Sequence, residues 1–166
     1  MTDKTDDPDF LPPRKDRLLR EHVHDTYKFR RKLHEPTVCP RCGAVYHEGR
    51  WHWAGAPPDA HRQLCPACHR IQDKYPAGFV NVSGPFAAQH RQEIISVARS
   101  EEKQAMAEHP LERIIAIEEH GDGLLITTTN PHLARGIGEA LRHAYQGELD
   151  FHYVEETDFL RVSWKR

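Results

Sequence analysis

Apolar and polar positions alternate most regularly over residues 111–166. Ile114-Ile115-Ala116-Ile117 predicts a strand, Gly121-Asp122-Gly123 a hairpin turn, and Leu124-Leu125-Ile126-Thr127-Thr128-Thr129 its β-branched partner. Asn130 followed by Pro131 marks a helix start. Leu133, Ile137, Leu141 and Ala144 recur on one helical face, and Gly147 marks the end. Leu149, Phe151 and Tyr153 then alternate, as do Leu160, Val162 and Trp164, predicting two more strands. This β-β-α-β-β order predicts a small α+β layer with its helices on one sheet face. Upstream, residues 86–108 predict a helix with a broken apolar stripe (Phe86, Ile94, Val97, Ala98, Ala105), stopped by His109-Pro110. Phe79-Val80-Asn81-Val82 predicts a short strand ahead of it.

The front of the chain is patterned differently. Residues 1–13 are polar and acidic and end in Pro12-Pro13, which predicts disorder. Residues 14–34 hold eight Lys/Arg against three acids, whereas residues 110–166 hold six against ten. A net charge of −2 therefore hides a basic front and an acidic back. Aromatic and aliphatic residues interleave the basic run, and Leu19, Val23 and Tyr27 fall at the spacing of a short helix. Such an arm is either simply solvated or one that orders on RNA phosphates with aromatics free to stack, and the second reading makes Arg14, Lys15, Arg17, Arg20, Lys28, Arg30, Arg31 and Lys32 its RNA contacts.

Between front and back lie the four cysteines of the chain, Cys39-Pro40-Arg41-Cys42-Gly43 and Cys65-Pro66-Ala67-Cys68. Two C-x-x-C pairs separated by a short module predict a zinc ribbon. Each pair turns both sulfurs inward, and four thiolates satisfy tetrahedral Zn²⁺ without an open position, so the ion is structural. A redox motif would need only one pair. Cys65-Pro66-Ala67-Cys68-His69 also spells a haem-attachment signal, but that would leave Cys39 and Cys42 without a role. A module this small gains its folding energy from the metal. Trp51 and Trp53 alternate with His52 and read as cover for the site. Trp51, with Arg50, is also a candidate for stacking on a base. The expected organisation is an arm over 1–35, a four-cysteine zinc-ribbon module over 36–85, a linking helix over 86–109 and the ββαββ layer over 110–166.

Catalytic signatures are missing. There is no P-loop, and Gly136-Ile137-Gly138 falls inside a predicted helix. No serine sits in a hydrolase elbow, every cysteine is committed to metal, and the thirteen histidines show no paired spacing within a helix. No apolar run approaches the roughly 18 residues of a membrane span. The acidic start, Met1-Thr2-Asp3-Lys4-Thr5-Asp6-Asp7, is no export signal, so reduced thiols in the cytoplasm are expected.

The two cysteine pairs, the strands from Arg113 to Thr129, the turn Thr129-Asn130-Pro131-His132-Leu133-Ala134-Arg135-Gly136-Ile137 and the following Gly147-Glu148 occur in an order that resembles a known family. It is similar to the N-terminal region of the archaeal and eukaryotic large-ribosomal-subunit export adaptor, the nonsense-mediated-decay-three family. More closely, it resembles small bacterial proteins that look like stand-alone versions of that region. The resemblance covers about residues 36–155, on the order of one domain. It implies a structural zinc, no catalysis, and a ribosomal partner (rRNA, and a ribosomal protein besides), with the large subunit expected. A zinc-ribbon transcriptional regulator or DNA-binding protein is the alternative that the ribbon and arm would serve equally well.

Overall fold

In the computed structural model, which describes Tyr27, residues 32–154 and residues 159–166, the chain is mixed α+β, with two sheets and four helices among the described residues. The small sheet comes first. Its strands are β1 (Thr37–Val38), β2 (Val45–His47), β3 (Arg50–His52) and β4 (His61–Arg62), in the order β3-β2-β1-β4. The β2–β3 hairpin turns through Glu48 and Gly49, both at positive φ (51° and 78°). The Glu35 carboxylate accepts both turn N–H groups at 3.1 Å, which fixes this otherwise exposed turn. Helix α1 (Pro66–Asp73) follows, ending at Lys74 in the left-handed region.

The second sheet contains β5 (Gly78–Ser83), β6 (Ile114–His120), β7 (Gly123–Thr128), β8 (Glu148–Val154) and β9 (Phe159–Lys165), ordered β6-β7-β5-β9-β8. Strand β5 pairs antiparallel to β7 and parallel to β9, so it lies in the middle. The sheet thus has one strand more than the ββαββ pattern supplies. The strand expected at Phe79–Val82 forms, but it sits in this sheet and not with the cysteine strands. The physical reason is that Val80 and Val82 bury completely between the paired Ile126/Leu124 and Val162/Trp164, an apolar environment the small sheet does not offer.

Two helices, α2 (Pro85–Gln89) and α3 (Arg91–Glu108), stand where one was expected over 86–108. Proline opens α2, and the chain leaves helical dihedrals at His90 (φ −120°, ψ 32°), whose ring stacks on Phe86 at 4.1 Å. Helix α4 (Pro131–Tyr145) starts as expected: the Asn130 side chain accepts from His132 N at 2.7 Å, with Pro131 in the first turn. Its buried side is Leu133, Ala134, Ile137, Gly138 and Leu141, while Ala144 is exposed.

One core fills the space between the second sheet and its helices. Val80, Val82, Ile126, Leu160, Val162 and Trp164 all point to the face on which α4 packs, and α3 packs on α4. Gly138 makes this approach possible, because a Cβ there would lie 2.6 Å from Val162 Cγ1 and 3.0 Å from Leu149 Cδ1. A separate, smaller cluster surrounds the cysteines, with Leu64, Trp51 and Leu111 packed against it.

Candidate metal centre

Each cysteine pair is shaped by its own backbone. In the first, Gly43 N donates to Cys39 O at 2.9 Å and Cys39 N to Ala44 O at 2.8 Å, with Gly43 at φ 82°. That left-handed residue closes the knuckle at little steric cost. In the second, Cys65 is the N-cap of α1 and Pro66 its first residue, and Cys68 N donates to Cys65 Sγ at 3.4 Å. The start of a helix favours thiolate over thiol, through its free N–H groups and dipole.

The two knuckles meet. The four sulfurs of Cys39, Cys42, Cys65 and Cys68 all lie within 4.8 Å of one another, and all four cysteines are free of disulfides. Cys42 Sγ is 3.8 Å from Cys65 Sγ. Four sulfurs about 2.3 Å from one tetrahedral ion would stand about 3.8 Å apart, so the set has the dimensions of a metal site. Cys39, Cys65 and Cys68 are buried and Cys42 is half-buried. The expectation that these four residues come together is met. Among the described residues they are the one group of His, Cys, Asp or Glu side chains that could hold an ion.

Their proton affinities point the same way. Cys39 is pulled far below the ordinary thiol range by hydrogen bonds from Cys42, Cys65 and Cys68. Cys42 is raised by Cys39 but lowered more by Cys65 and Cys68, and falls to about 6. Cys65 and Cys68 are pushed far up, chiefly by hydrogen bonds to Cys39 and Cys42. Packed this closely, the sulfurs cannot all ionise unless a cation joins them.

A residue that sequence reasoning missed completes the arrangement. Arg113, one position before β6, sends Nη2 to Cys65 Sγ at 3.1 Å, Cys68 Sγ at 3.4 Å and Cys42 Sγ at 3.7 Å. Thr129 Oγ1 accepts from Arg113 N at 2.9 Å and lies 2.6 Å from Leu111 O, which holds the approach loop in place. Burial alone would lower the Arg113 pKa, but its interactions with Cys65, Cys68 and Cys42 raise it. Among the described residues Arg113 forms no ion pair with a carboxylate. The sulfur cluster is therefore its nearest polar group, and four thiolates around a divalent ion would supply its counter-charge. The only sequence signal was proximity to a strand start, and nothing in it pointed 45 residues back to Cys68.

The other candidate residues fall into two sets. Arg14, Lys15, Arg17, Arg20, Lys28, Arg30 and Arg31 lie outside the described residues. Lys32 and Arg50 are exposed and Trp51 is half-buried. Trp51 packs on the cysteine cluster and touches Tyr46 at 5.6 Å, and with Arg50 it borders a cavity of about 580 Å³ that reaches His109, Leu111 and Asn130. Trp53 does not share its role: it lies beyond β3, is exposed, and donates from Nε1 to Met106 O of α3 at 2.6 Å. No helix among the described residues is long and apolar enough to cross a membrane.

No known protein family, curated protein or solved structure matches the chain.

Proposed function

We propose that Cys39, Cys42, Cys65 and Cys68 hold a structural Zn²⁺ in a zinc ribbon, and that the protein is a non-enzymatic cytoplasmic factor that binds rRNA on the large ribosomal subunit. Assembly, quality control and dormancy are the processes in which such a factor would act. The observation that carries this reading is the closed sulfur set. Four cysteines surround the site and the Arg113 guanidinium lies against three of the sulfurs, so no position is left for a reacting molecule. Function then falls to the surface, where Arg50 and the half-buried Trp51 stand on the hairpin above the cysteines. Exposed Lys32 adjoins the rest of the basic run in sequence. The resemblance to the ribosomal export adaptor region names the ribosome as the partner for that surface, and the acidic outer strands of the back of the chain would then meet protein.

Sedimentation of lysate through a sucrose gradient tests it. The tagged protein is expected to comigrate with large subunits at low salt and to be released as salt rises, with rRNA as the bound nucleic acid. Replacing Arg30, Arg31 and Lys32 with Glu should shift it to the top of the gradient and flatten the salt dependence by about 0.7–0.9 for each phosphate no longer neutralised. Cosedimentation that ignores salt would remove the RNA contact, and recovery of DNA in place of rRNA would favour the transcriptional alternative.

A further inference from the structure

The second sheet has a second face. Pairing in register puts Phe79 beside Thr127 and Arg161, Asn81 beside Leu125 and Ser163, and Ser83 beside Lys165, all on the side opposite α4. Among the described residues no helix covers this side. On the three middle strands its side chains are apolar, hydroxyl, amide or basic, with no acid; the nearest acids in register stand on the outer strands, Glu118 on β6 and Asp150 and Glu148 on β8, with Glu148 directly opposite Lys165. Arg161 and Lys165 form no ion pair with any described residue.

Aromatic rings run in a row from this face to residues ahead of β5. Phe79 lies 6.2 Å from Phe159, Phe159 lies 5.7 Å from Tyr75, and Tyr75 lies 5.6 Å from Tyr27. Cations lie over both ends: the Arg161 guanidinium sits 4.7 Å above Phe79, and that of Arg70 sits 4.5 Å above Tyr27 and 5.7 Å above Tyr75. Tyr75 is 44% exposed, so the row surfaces there. The row also ends within the basic run of residues 14–34, since Lys28 is the next residue after Tyr27.

We propose that this face is a stacking platform for single-stranded RNA, with bases laid on Tyr75 and on the Arg161–Phe79 pair and phosphates met by Arg161 and Lys165. An aromatic on a central strand, an adjacent guanidinium plane and small polar neighbours are what splayed bases need, whereas a duplex buries its base faces. Arg161, with Phe79 and His152 beside it in register and no ion pair to a described residue, favours a polyanion over an apolar protein partner. The acidic outer strands repel phosphate and confine the strand to β7, β5 and β9. This rests on the reading that the protein binds RNA, and it adds to the cysteine hairpin a second, separate surface for that binding.

The test is fluorescence anisotropy with short labelled oligouridylate and oligoadenylate on the full chain, run beside the sucrose gradient. The wild type should bind. Tyr75→Ala and Arg161→Glu, both at exposed positions, should each weaken binding by about 10-fold or more at an unchanged melting temperature, and Tyr75→Phe should retain it. Wild-type affinity in both disruptive variants overturns the platform and leaves the basic arm as the RNA contact. A wild type that comigrates with large subunits but ignores oligonucleotides also overturns it, while the ribosomal reading stands. Failure in both assays removes both. A photocrosslinker in place of Ser163 identifies the occupant: capture of oligonucleotide supports the platform, and capture of residues 1–26 of the same chain or of another protein overturns it.

Discussion

Arg113 lies against three cysteine sulfurs with no carboxylate partner among the described residues, so those sulfurs, as thiolates, would balance its charge. The dependence runs both ways. A guanidinium that donates to bound thiolates draws charge from them and slows their protonation, the first step in losing a metal. Replacing Arg113 with Met keeps its length and apolar stem but removes the donors. With Zn²⁺ loaded, release to a chromogenic chelator should then be faster by about 10- to 100-fold, the usual effect of losing an outer partner of a metal ligand. Arg113→Lys should fall in between, since one ammonium cannot span three sulfurs as a planar guanidinium does. Equal release from all three forms would reduce Arg113 to a packing residue. Nothing local in the sequence announces this contact. The cysteine spacing was legible because the ligand geometry is built into each short motif, whereas Arg113 owes its role to chain folding 71 residues away from Cys42.

At the scale of elements, the same contrast explains which parts of the fold could be read in advance. The β6–β7 hairpin and the start of α4 depend on residues next to one another: a two-residue turn at Gly121-Asp122, and Asn130 capping His132 with Pro131 between them. These formed as expected. Strand β5 was visible as a strand, but its neighbours were not, because parallel pairing with β9 joins residues about eighty positions apart and leaves no local mark. Likewise the apolar stripe of α4 foretold Leu133, Ile137 and Leu141 but not the small residues Ala134 and Gly138, whose value is closeness and not hydrophobicity. Gly138→Ala tests that closeness. It improves helix propensity, yet the added methyl would lie 2.6 Å from Val162 Cγ1 across a filled interface. Overpacking of about 1–3 kcal/mol should win, lowering the melting temperature by roughly 3–10 °C, readable by circular dichroism. A melting temperature that rises instead would mean α4 can lift off the sheet without loss.

Across the whole molecule, two apolar clusters are held by different forces. The sheet core is large and contains fully buried Ile94, Ile126, Ile137, Leu160 and Trp164, enough to stand without help. The cysteine cluster has four small side chains at its centre and strands of two or three residues around it, too little to stand without a bound ion. Among the described residues the ties between the two include Arg113 to the sulfurs, Leu111 packed on them, Trp53 bonded to Met106 of α3 and Tyr75 against Phe159. Removal of metal with a strong chelator should therefore melt the cysteine module first and leave the sheet folded. Hydrogen exchange should show loss of protection over residues 36–66 and retained protection in β5, β7, β9 and α4. The loss should extend to β6 and the end of α3, because an Arg113 guanidinium beside protonated thiols is left without its counter-charge. Trp51 packs on the cysteines and Trp164 is buried in the sheet core, so single-tryptophan variants report the two parts separately. Metal removal should split one thermal transition into two, the earlier seen by Trp51 and the later by Trp164. A single shared transition after chelation would mean that the ties between the clusters outweigh the difference in their cores.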